Sequence, residues 1–314
     1  MKHFLKETDL NLEERRRVFA LSQQYKQQRG CYRWTALSGQ SWGLLFYKNS
    51  TRTRLSFEVG IHELGGHAIF LSGDTLQTQR GESLGDTARV FSQYLEGLVI
   101  RTFGHDELVH LADASSIPVV NGLTDFLHPC QIYSDAFTLA EHWRTEGDTL
   151  NSLCGRKLAF LGDTASNMAH SWIIGAALFG MDLALAGPPA FAPDPQVNAL
   201  LEEAGLQPKY HYTEDPVDAV TSADVVYTDV WVSMGDEAAE QTRLEALRPY
   251  AVTEKLMAKA HTEACFMHCM PIHPGQEVSE KVLDSSRSII YQQAANRLHV
   301  QKAILTVLAE AAKA

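Results

Sequence analysis

The sequence predicts an α/β fold: two parallel-sheet α/β domains with the active site in the cleft between them. From about residue 40 onward, apolar runs of strand length alternate with helical patterns, which favours parallel sheets covered by helices. A polar stretch, residues 144–157, interrupts this alternation, and the same rhythm then starts again. A chain of 314 residues is also long enough for two domains.

The first half of the chain starts with a polar, charged segment that is typical of a helix. Strands and helices are then expected in turn. The predicted strands are 42–48, 67–73, 97–103 and 117–123. The predicted helices are one that begins near Ser50, then 82–96, 106–115 and 128–143.

The second half repeats the pattern after the polar boundary. The segment 288–293 precedes a strongly predicted final helix, 297–313. The other predicted strands are 157–163, 181–188, 224–231 and 265–272, and the other predicted helices are 168–180 and 194–206.

Composition and charge argue against several kinds of partner. The chain has 27 basic and 38 acidic residues, a net charge of −11, so neither nucleic acid nor an anionic membrane is expected as a partner. No segment approaches the roughly 18 apolar residues of a membrane-spanning helix. The five cysteines favour reduced thiols over a disulfide framework, and we therefore expect a soluble, cytoplasmic protein.

The segment 48–54 has the features of a phosphate site. It lies where a predicted strand gives way to a helix, and ligands of parallel sheets bind at such strand ends. Ser50 or Thr51 is a suitable N-cap, and three hydroxyl groups, two guanidinium groups and the positive end of a helix would surround an anion. The alternative is an ordinary capped helix with solvated arginines. A glycine-rich nucleotide loop is absent from the sequence.

A second set of polar residues follows the third predicted strand. Arg101 ends that strand, and His128 and Gln131 open the helix that starts at a proline. Residues three apart share a helix face, so His128 could donate to a carbonyl oxygen and Gln131 could accept from an amide. The alternative is a histidine that only caps the helix.

The second half offers residues for an amino-acid ligand. Asp229 follows a predicted strand and could anchor an ammonium group, with Ser233, Met234 and Gly235 in the loop beyond it. The alternative is a polar turn. Asn167 could serve as an N-cap or as an amide that binds substrate.

Cys269 lies at the end of the predicted strand 265–272, next to His268. Adjacent residues of a strand point to opposite faces, so His268 is not expected to activate Cys269 as a nucleophile. A pairing of Asp229 with Cys269 would suit proton handling better than covalent catalysis. The alternative is a buried, inert cysteine.

No metal or organic cofactor is expected. His62 and His67 resemble a zinc-protease helix, but they are five residues apart, whereas that motif needs four. Cys265 and Cys269 lack two further ligands at a suitable spacing.

Taken together, these segments resemble the aspartate/ornithine carbamoyltransferase family. The resemblance covers most of the chain and follows the family's order. It rests on FYKNSTRTRLSFE, ESLGDTARV, the Arg101 strand end, HPCQ, LGD with its later Asn, DVWVSMG, HCMP and the NR before the last helix.

The resemblance implies two substrates, carbamoyl phosphate and ornithine, and a role for each matching residue. Those implied to bind carbamoyl phosphate are Ser50, Thr51, Arg52, Thr53, Arg101, His128, Gln131, Arg297 and the backbone of Cys269 and Met270. Those implied to bind ornithine are Asn167, Asp229, Ser233 and Met234.

The resemblance also implies an assembly and a domain division. A loop of the neighbouring subunit would bring Gln77 into each site, so a homotrimer is expected. The family's last helix folds back on the first domain, which gives 1–145 plus 297–314 for carbamoyl phosphate and 146–296 for ornithine.

The implied reaction forms citrulline and phosphate. Arg52, Arg101 and His128 would stabilise developing negative charge, while Asp229 and Cys269 would orient the attacking amine. The departures from the family pattern are Met270 for leucine, Gln293 and Ala295 for acidic residues, and Ser166 and His170 for asparagines.

Several alternatives to this reaction stay open. The acceptor could be putrescine, an acylated ornithine or aspartate. The chain could also be a non-catalytic phosphate- or amino-acid-binding regulator, which the intact Arg52, His128 and Cys269 argue against. A cysteine hydrolase is a third alternative.

Overall fold

Parallel strands form the framework of both halves of the chain. The computed structural model describes residues 2–73, 82–144, 149–232 and 240–313. The chain divides into two compact units, Met1–Phe137 with Ala295–Ala314, and Thr138–Ala294. The predicted fold class, two α/β domains with parallel sheets, is confirmed, whereas a site in a cleft between them stays a prediction.

The first unit contains a sheet of four described strands in the order β2-β1-β3-β4. These strands are almost continuous apolar runs, as expected of parallel strands that helices cover on both faces. The strands are β1 Ser41–Phe46, β2 His67–Ser72, β3 Gly97–Arg101 and β4 Val119–Leu123. The helices are α1 Leu12–Gln27, α2 Thr51–Glu63, α3 Leu84–Tyr94 and α4 His105–Ala114, together with α5 Pro129–His142, which begins in this unit and continues past its boundary at Phe137.

The second unit contains a sheet of five described strands in the order β7-β6-β5-β8-β9. The strands are β5 Lys157–Leu161, β6 Asp182–Ala186, β7 Tyr210–Thr213, β8 Val225–Thr228 and β9 Cys265–His268. The helices are α6 Asn167–Phe179, α7 Gln196–Glu203, α8 Pro216–Val220, α9 Glu240–Leu247, α10 Glu254–Met257 and α11 Glu280–Leu283. The final helix, α12 Ile290–Lys313, begins in this unit and belongs to the first unit from Ala295 onward.

Polar contacts hold α12 against α1 and α2 within the first unit. Lys302 Nζ lies 2.7 Å from Glu63 Oε2 on α2, and its side chain is 1% exposed. Tyr25 Oη of α1 lies 2.8 Å from Thr306 Oγ1. A buried ammonium group needs such a partner, because burial without one is costly.

Three sequence predictions change at this level. The final helix begins at Ile290 rather than Arg297, so it takes in the end of the segment 288–293. Strand β7 was not predicted, because its four residues, Tyr-His-Tyr-Thr, form no apolar run and none of them is buried. The strands β8 and β9 end at Thr228 and His268, earlier than predicted.

No helix among the described residues is long and apolar enough to cross a membrane. The five cysteines all lie in the described part of the chain, and none forms a disulfide.

Candidate active site

The first group of predicted site residues surrounds the turn from β1 into α2. Ser50 is the N-cap: its backbone is extended, and its Oγ accepts the N–H of Thr53 at 3.3 Å. Thr51 and Arg52 are exposed in the first turn of the helix. The backbone N–H groups and the positive helix end at this turn are suited to an anion.

The two arginines of this turn have different surroundings. Arg54 Nε donates to Glu58 Oε1 at 2.8 Å, and its guanidinium carbon lies 3.7 Å from the centre of the Phe70 ring. Arg52 makes no hydrogen bond or ion pair with the described residues. Arg54 is thus already engaged by Glu58 and Phe70, and the expectation that both guanidinium groups surround the anion stays a prediction.

Arg297 links two other predicted residues beneath this turn. Its Nη2 donates to Thr53 Oγ1 at 3.2 Å, and its Nη1 donates to Gln131 Oε1. The Gln131 amide donates to Asp135 Oδ1 at 2.7 Å, so its orientation is fixed from both ends. Thr53, Gln131, Asp135 and Arg297 are all buried. Within the first unit, α2, α5 and α12 are therefore joined by one chain of hydrogen bonds.

Arg101 and His128 lie at the same edge of the first sheet. Arg101 is the last residue of β3, His128 immediately precedes α5, and both are buried. Burial, together with the charges of Arg297 and Arg101, holds the pKa of His128 well below 6.5. His128 is therefore uncharged near neutral pH and can donate one N–H to a carbonyl oxygen.

The second group of predicted residues lies at the ends of β8 and β9. Asp229 directly follows β8 and Cys269 directly follows the neighbouring strand β9. The Cys269 Sγ donates to Asp229 Oδ1 at 2.9 Å, and the Val230 N–H donates to the same oxygen at 2.8 Å. Both side chains are partly exposed, so a ligand can reach this thiol–carboxylate pair.

The strand argument applied to His268 and Cys269 is wrong. Strand β9 ends at His268, so Cys269 lies beyond the strand and need not point to the opposite face. His268, Cys269 and Asp229 each offer an atom within 4.8 Å of the others. The thiol nevertheless donates to Asp229, and His268 Nδ1 accepts the N–H of Met270 at 2.8 Å. That nitrogen is therefore not available as the base for Cys269.

This cluster is also the arrangement closest to a metal site among the described residues, and the sequence spacing did not reveal it. Its chemistry does not favour a cation. Besides the engaged Nδ1, the His268 Nε2 lies 3.3 Å from Glu277 Oε1, so both ring nitrogens already face partners. The absence of a metal therefore stays a prediction.

Asn167 is the first residue of α6, and the N-cap is Ser166, whose Oγ accepts the N–H of Ala169 at 3.3 Å. The alternative that Asn167 is the N-cap is wrong. Asn167 is partly exposed in the first turn, where a side-chain amide can meet a ligand.

Comparison with known proteins identifies the family. Residues 2–141 match the model for the carbamoyl-P binding domain of aspartate/ornithine carbamoyltransferase, and residues 154–308 match that for its Asp/Orn binding domain. The chain belongs to the aspartate/ornithine carbamoyltransferase family.

Similar proteins have names within this family. The ornithine carbamoyltransferase of Symbiobacterium thermophilum is 50% identical over 87% of this chain and 86% of its own length. That of Carboxydothermus hydrogenoformans is 44% identical over 98% of this chain and 97% of its own length. The structure titled ornithine carbamoyltransferase from Pyrococcus furiosus has a TM-score of 0.89 at 38% identity, covering 98% of this chain and 97% of that one.

Three departures from the aspartate/ornithine carbamoyltransferase pattern have a structural account. Ser166 caps α6, and His170 Nε2 accepts the Asp194 N–H at 3.1 Å, which ties the loop after β6 to that helix. Gln293 is buried and accepts the His268 N–H at 3.0 Å.

Some predicted residues lie outside the described part of the chain. They are Gln77, Ser233 and Met234, with Gly235 of the same loop. Their assignments stay predictions.

Sequence reasoning missed two residues that support the site. Asp135 holds Gln131 from the next turn of α5, a spacing of four that the helical pattern could have indicated. Glu277 lies nine residues beyond His268 in a loop, and no spacing rule connects the two.

Proposed function

We propose that this protein transfers the carbamoyl group of carbamoyl phosphate to the δ-amine of L-ornithine, giving L-citrulline and phosphate. The observation that carries the proposal is the match of both domain models, together with relatives of this name that align over nearly the whole chain. Independently of that match, an anion-binding turn in one unit and a thiol–carboxylate pair in the other suit this pair of substrates.

The first unit would bind carbamoyl phosphate. Ser50, Thr51, Arg52 and Thr53 would hold the phosphate, because hydroxyl groups, backbone N–H groups and one exposed guanidinium meet at a helix N-terminus. Arg101, His128, Gln131 and Arg297 would hold the carbonyl oxygen and the amide. Gln131 Oε1 already accepts from Arg297, so its second lone pair would receive the carbamoyl NH₂.

The second unit would bind ornithine. Asp229 would attract the side-chain amine and Cys269 would fix the orientation of that carboxylate, while Asn167, Ser233 and Met234 would hold the α-amino acid end. The backbone of Cys269 and Met270 would contact the carbamoyl group.

The δ-amine reacts only when uncharged. Its nitrogen attacks the carbonyl carbon and a tetrahedral intermediate forms. The C–O bond to phosphate then breaks, and the amine proton leaves with phosphate or solvent. Arg52, Arg101 and the neutral His128 would stabilise the negative charge that develops on the oxygens. Holding two substrates in a reactive geometry would supply much of the rate.

A comparison of acceptors tests the reaction. Purified protein is assayed with carbamoyl phosphate and either L-ornithine, putrescine, N-acetylornithine or aspartate. We expect citrulline from ornithine at a rate far above the products from the other three. Carbamoylation of another amine without citrulline formation would overturn the acceptor, and no carbamoylation of any amine would overturn the reaction.

We further propose a cytoplasmic homotrimer in which Gln77 of each subunit acts in the neighbouring site. The family resemblance supports the assembly, and five cysteines without a disulfide are consistent with a reducing compartment. Arg52→Ala and Gln77→Ala homotrimers should each be nearly inactive. Subunits of the two variants, mixed and reassembled, should regain activity, because some sites then combine an intact Arg52 with an intact Gln77. Failure to regain activity would contradict a shared site.

A further inference from the structure

The loop after β9 contains a buried polar pair that the proposed mechanism does not use. His268, the last residue of β9, and Glu277, in the loop beyond it, are both 0% exposed. His268 Nε2 lies 3.3 Å from Glu277 Oε1, which is longer than an ordinary N–H···O hydrogen bond. Buried polar groups of this kind normally have a specific structural or functional task.

The hydrogen bonds define the tautomer of His268. The backbone N–H of Met270, which can only donate, lies 2.8 Å from His268 Nδ1, so Nδ1 must carry the lone pair. A neutral imidazole then has its proton on Nε2, which faces Glu277. The N–H of His273 donates to the same Glu277 oxygen at 2.6 Å and holds the carboxylate in place.

The bond from Met270 holds an unusual backbone conformation. Met270 has a φ of 60°, in the left-handed region that residues other than glycine rarely adopt. Such a conformation persists when surrounding contacts determine it. The bond to His268 Nδ1 is such a contact, and Cys269 lies between the two residues that it joins.

A second set of bonds fixes His268 relative to β8, the strand that Asp229 directly follows. Gln293 Oε1 accepts the His268 N–H at 3.0 Å, and Gln293 Nε2 lies 3.1 Å from Tyr227 Oη on β8. Tyr227 is two residues before Asp229, whose carboxylate accepts from Cys269 at 2.9 Å. The network thus connects both partners of the thiol–carboxylate pair through buried side chains.

We propose that His268, with its tautomer defined by the Met270 N–H, is a positioning residue that places Cys269 and the Met270 backbone for carbamoyl transfer. The inference rests on the proposed function and adds a residue to it. His268 itself touches no substrate in this scheme. It acts by holding the turn that carries the thiol and the backbone groups.

A matched pair of variants separates positioning from general support of the fold. In His268→Asn, the side-chain oxygen can accept the Met270 N–H, because asparagine readily bonds to the backbone two residues on. In His268→Gln, the longer amide reaches toward Glu277, but the acceptor for Met270 is lost. Both variants remove the imidazole ring from the same buried site.

We expect His268→Gln to lose about 100-fold in kcat/KM, the loss that a small misplacement of reacting groups can cause. His268→Asn should retain activity within about tenfold of the parent protein at a similar Tm. Inorganic phosphate should bind both variants as it binds the parent, because the Ser50–Arg54 turn is unchanged. Equal losses of activity in both variants, in proportion to their losses of Tm, would overturn the inference.

A measurement that does not need activity distinguishes failure of the inference from failure of the proposed function. The ¹⁵N–¹H spectrum of imidazole groups, with His268 assigned by its loss in His268→Asn, should show Nε2 protonated and Nδ1 bare. Protonated Nδ1 would overturn the inference whatever reaction the protein catalyses. A parent protein with the expected spectrum but no citrulline formation would instead contradict the proposed function.

Discussion

The residues proposed to bind carbamoyl phosphate and those proposed to bind ornithine are held in different ways. In the first unit, Thr53, Gln131 and Arg297 are buried, and Arg297 donates a hydrogen bond to each of the other two. In the second unit, Asp229 and Cys269 are partly exposed and share one thiol–carboxylate hydrogen bond. The hydrogen-bonded residues Thr53, Gln131 and Arg297 are therefore part of the folded interior, whereas the thiol–carboxylate pair lies at the surface of its unit.

This difference leads to distinct expectations for mutations. Removing a buried, bonded group leaves its partners unsatisfied and lowers stability together with activity. Removing a partly exposed group at a strand end lowers activity with little effect on stability. Thr51 and Arg52 are exceptions among the residues proposed to bind carbamoyl phosphate, because both are exposed at the start of α2.

The largest effect is expected for Arg52→Ala. Loss of the guanidinium that would neutralise the phosphate should lower kcat/KM by about 1,000-fold, and Tm should stay within about 2 °C of the parent value. Arg54→Ala, two residues further along α2, is the matched control and should retain most activity, because Glu58 and Phe70 hold Arg54. Steady-state kinetics and thermal unfolding measure both. Equal losses in the two variants would show that the anion needs both guanidinium groups.

The next effect is expected for Asp229→Asn. Loss of the carboxylate charge should lower kcat/KM for ornithine by about 100-fold, with little change in the free energy of unfolding. Asp224→Asn is the control at the opposite end of β8. Asp224 is bonded to Arg156 at 3.0 Å and to the Lys157 N–H at 2.9 Å, so this variant should lose stability and keep activity. If urea unfolding showed the larger loss of stability in Asp229→Asn and kinetics showed the larger loss of activity in Asp224→Asn, the proposed role of Asp229 would be contradicted.

The sequence predicted the part of the site that local geometry determines. A phosphate turn between a strand and a capped helix depends on neighbouring residues, and Ser50 caps α2 as that pattern indicated. The pairing of Asp229 with Cys269 was also accessible, because both follow strands of one parallel sheet and the carboxyl ends of such strands meet.

The remaining contacts depend on tertiary structure. Arg297 reaches Thr53 and Gln131 across sequence separations of 244 and 166 residues, which no local pattern encodes. The strand rule failed at Cys269 because β9 ends at His268, four residues before the end of the predicted strand 265–272. Strand β7 was missed since a short, polar edge strand has no hydrophobic signature.

Arg297→Lys tests the hydrogen-bonded group of Thr53, Gln131 and Arg297. A lysine keeps the charge but cannot bond to Thr53 and Gln131 in the same planar geometry. We expect the free energy of unfolding to fall by about 2 kcal/mol and KM for carbamoyl phosphate to rise about tenfold. Urea unfolding and steady-state kinetics check both. Unchanged stability with a raised KM would mean that the bonds of Arg297 to Thr53 and Gln131 contribute no more to folding than the thiol–carboxylate pair does.

The smallest effect concerns His299, which shares burial and cationic neighbours with His128 but lies outside the proposed site. Burial, with Lys302, Arg29 and Lys26 nearby, lowers the pKa of His299 to about 4, although Glu63 acts in the opposite direction.

The sign of the resulting pH dependence follows from proton binding. An unfolded histidine titrates near pH 6.5, so between about pH 6.5 and 4 the unfolded chain binds a proton that the folded chain does not. The contribution of His299 is therefore fully present at neutral pH and is lost as the pH falls through this window. From pH 7 to pH 5 the loss should be about 1 kcal/mol, allowing for partial solvent screening. Urea unfolding of the parent protein and of His299→Gln at both pH values should show a smaller acid loss in the variant, with turnover at pH 7 unchanged. An equal acid loss in both proteins would mean that burial beside cations, which His299 and His128 share, does not by itself make the first unit sensitive to acid.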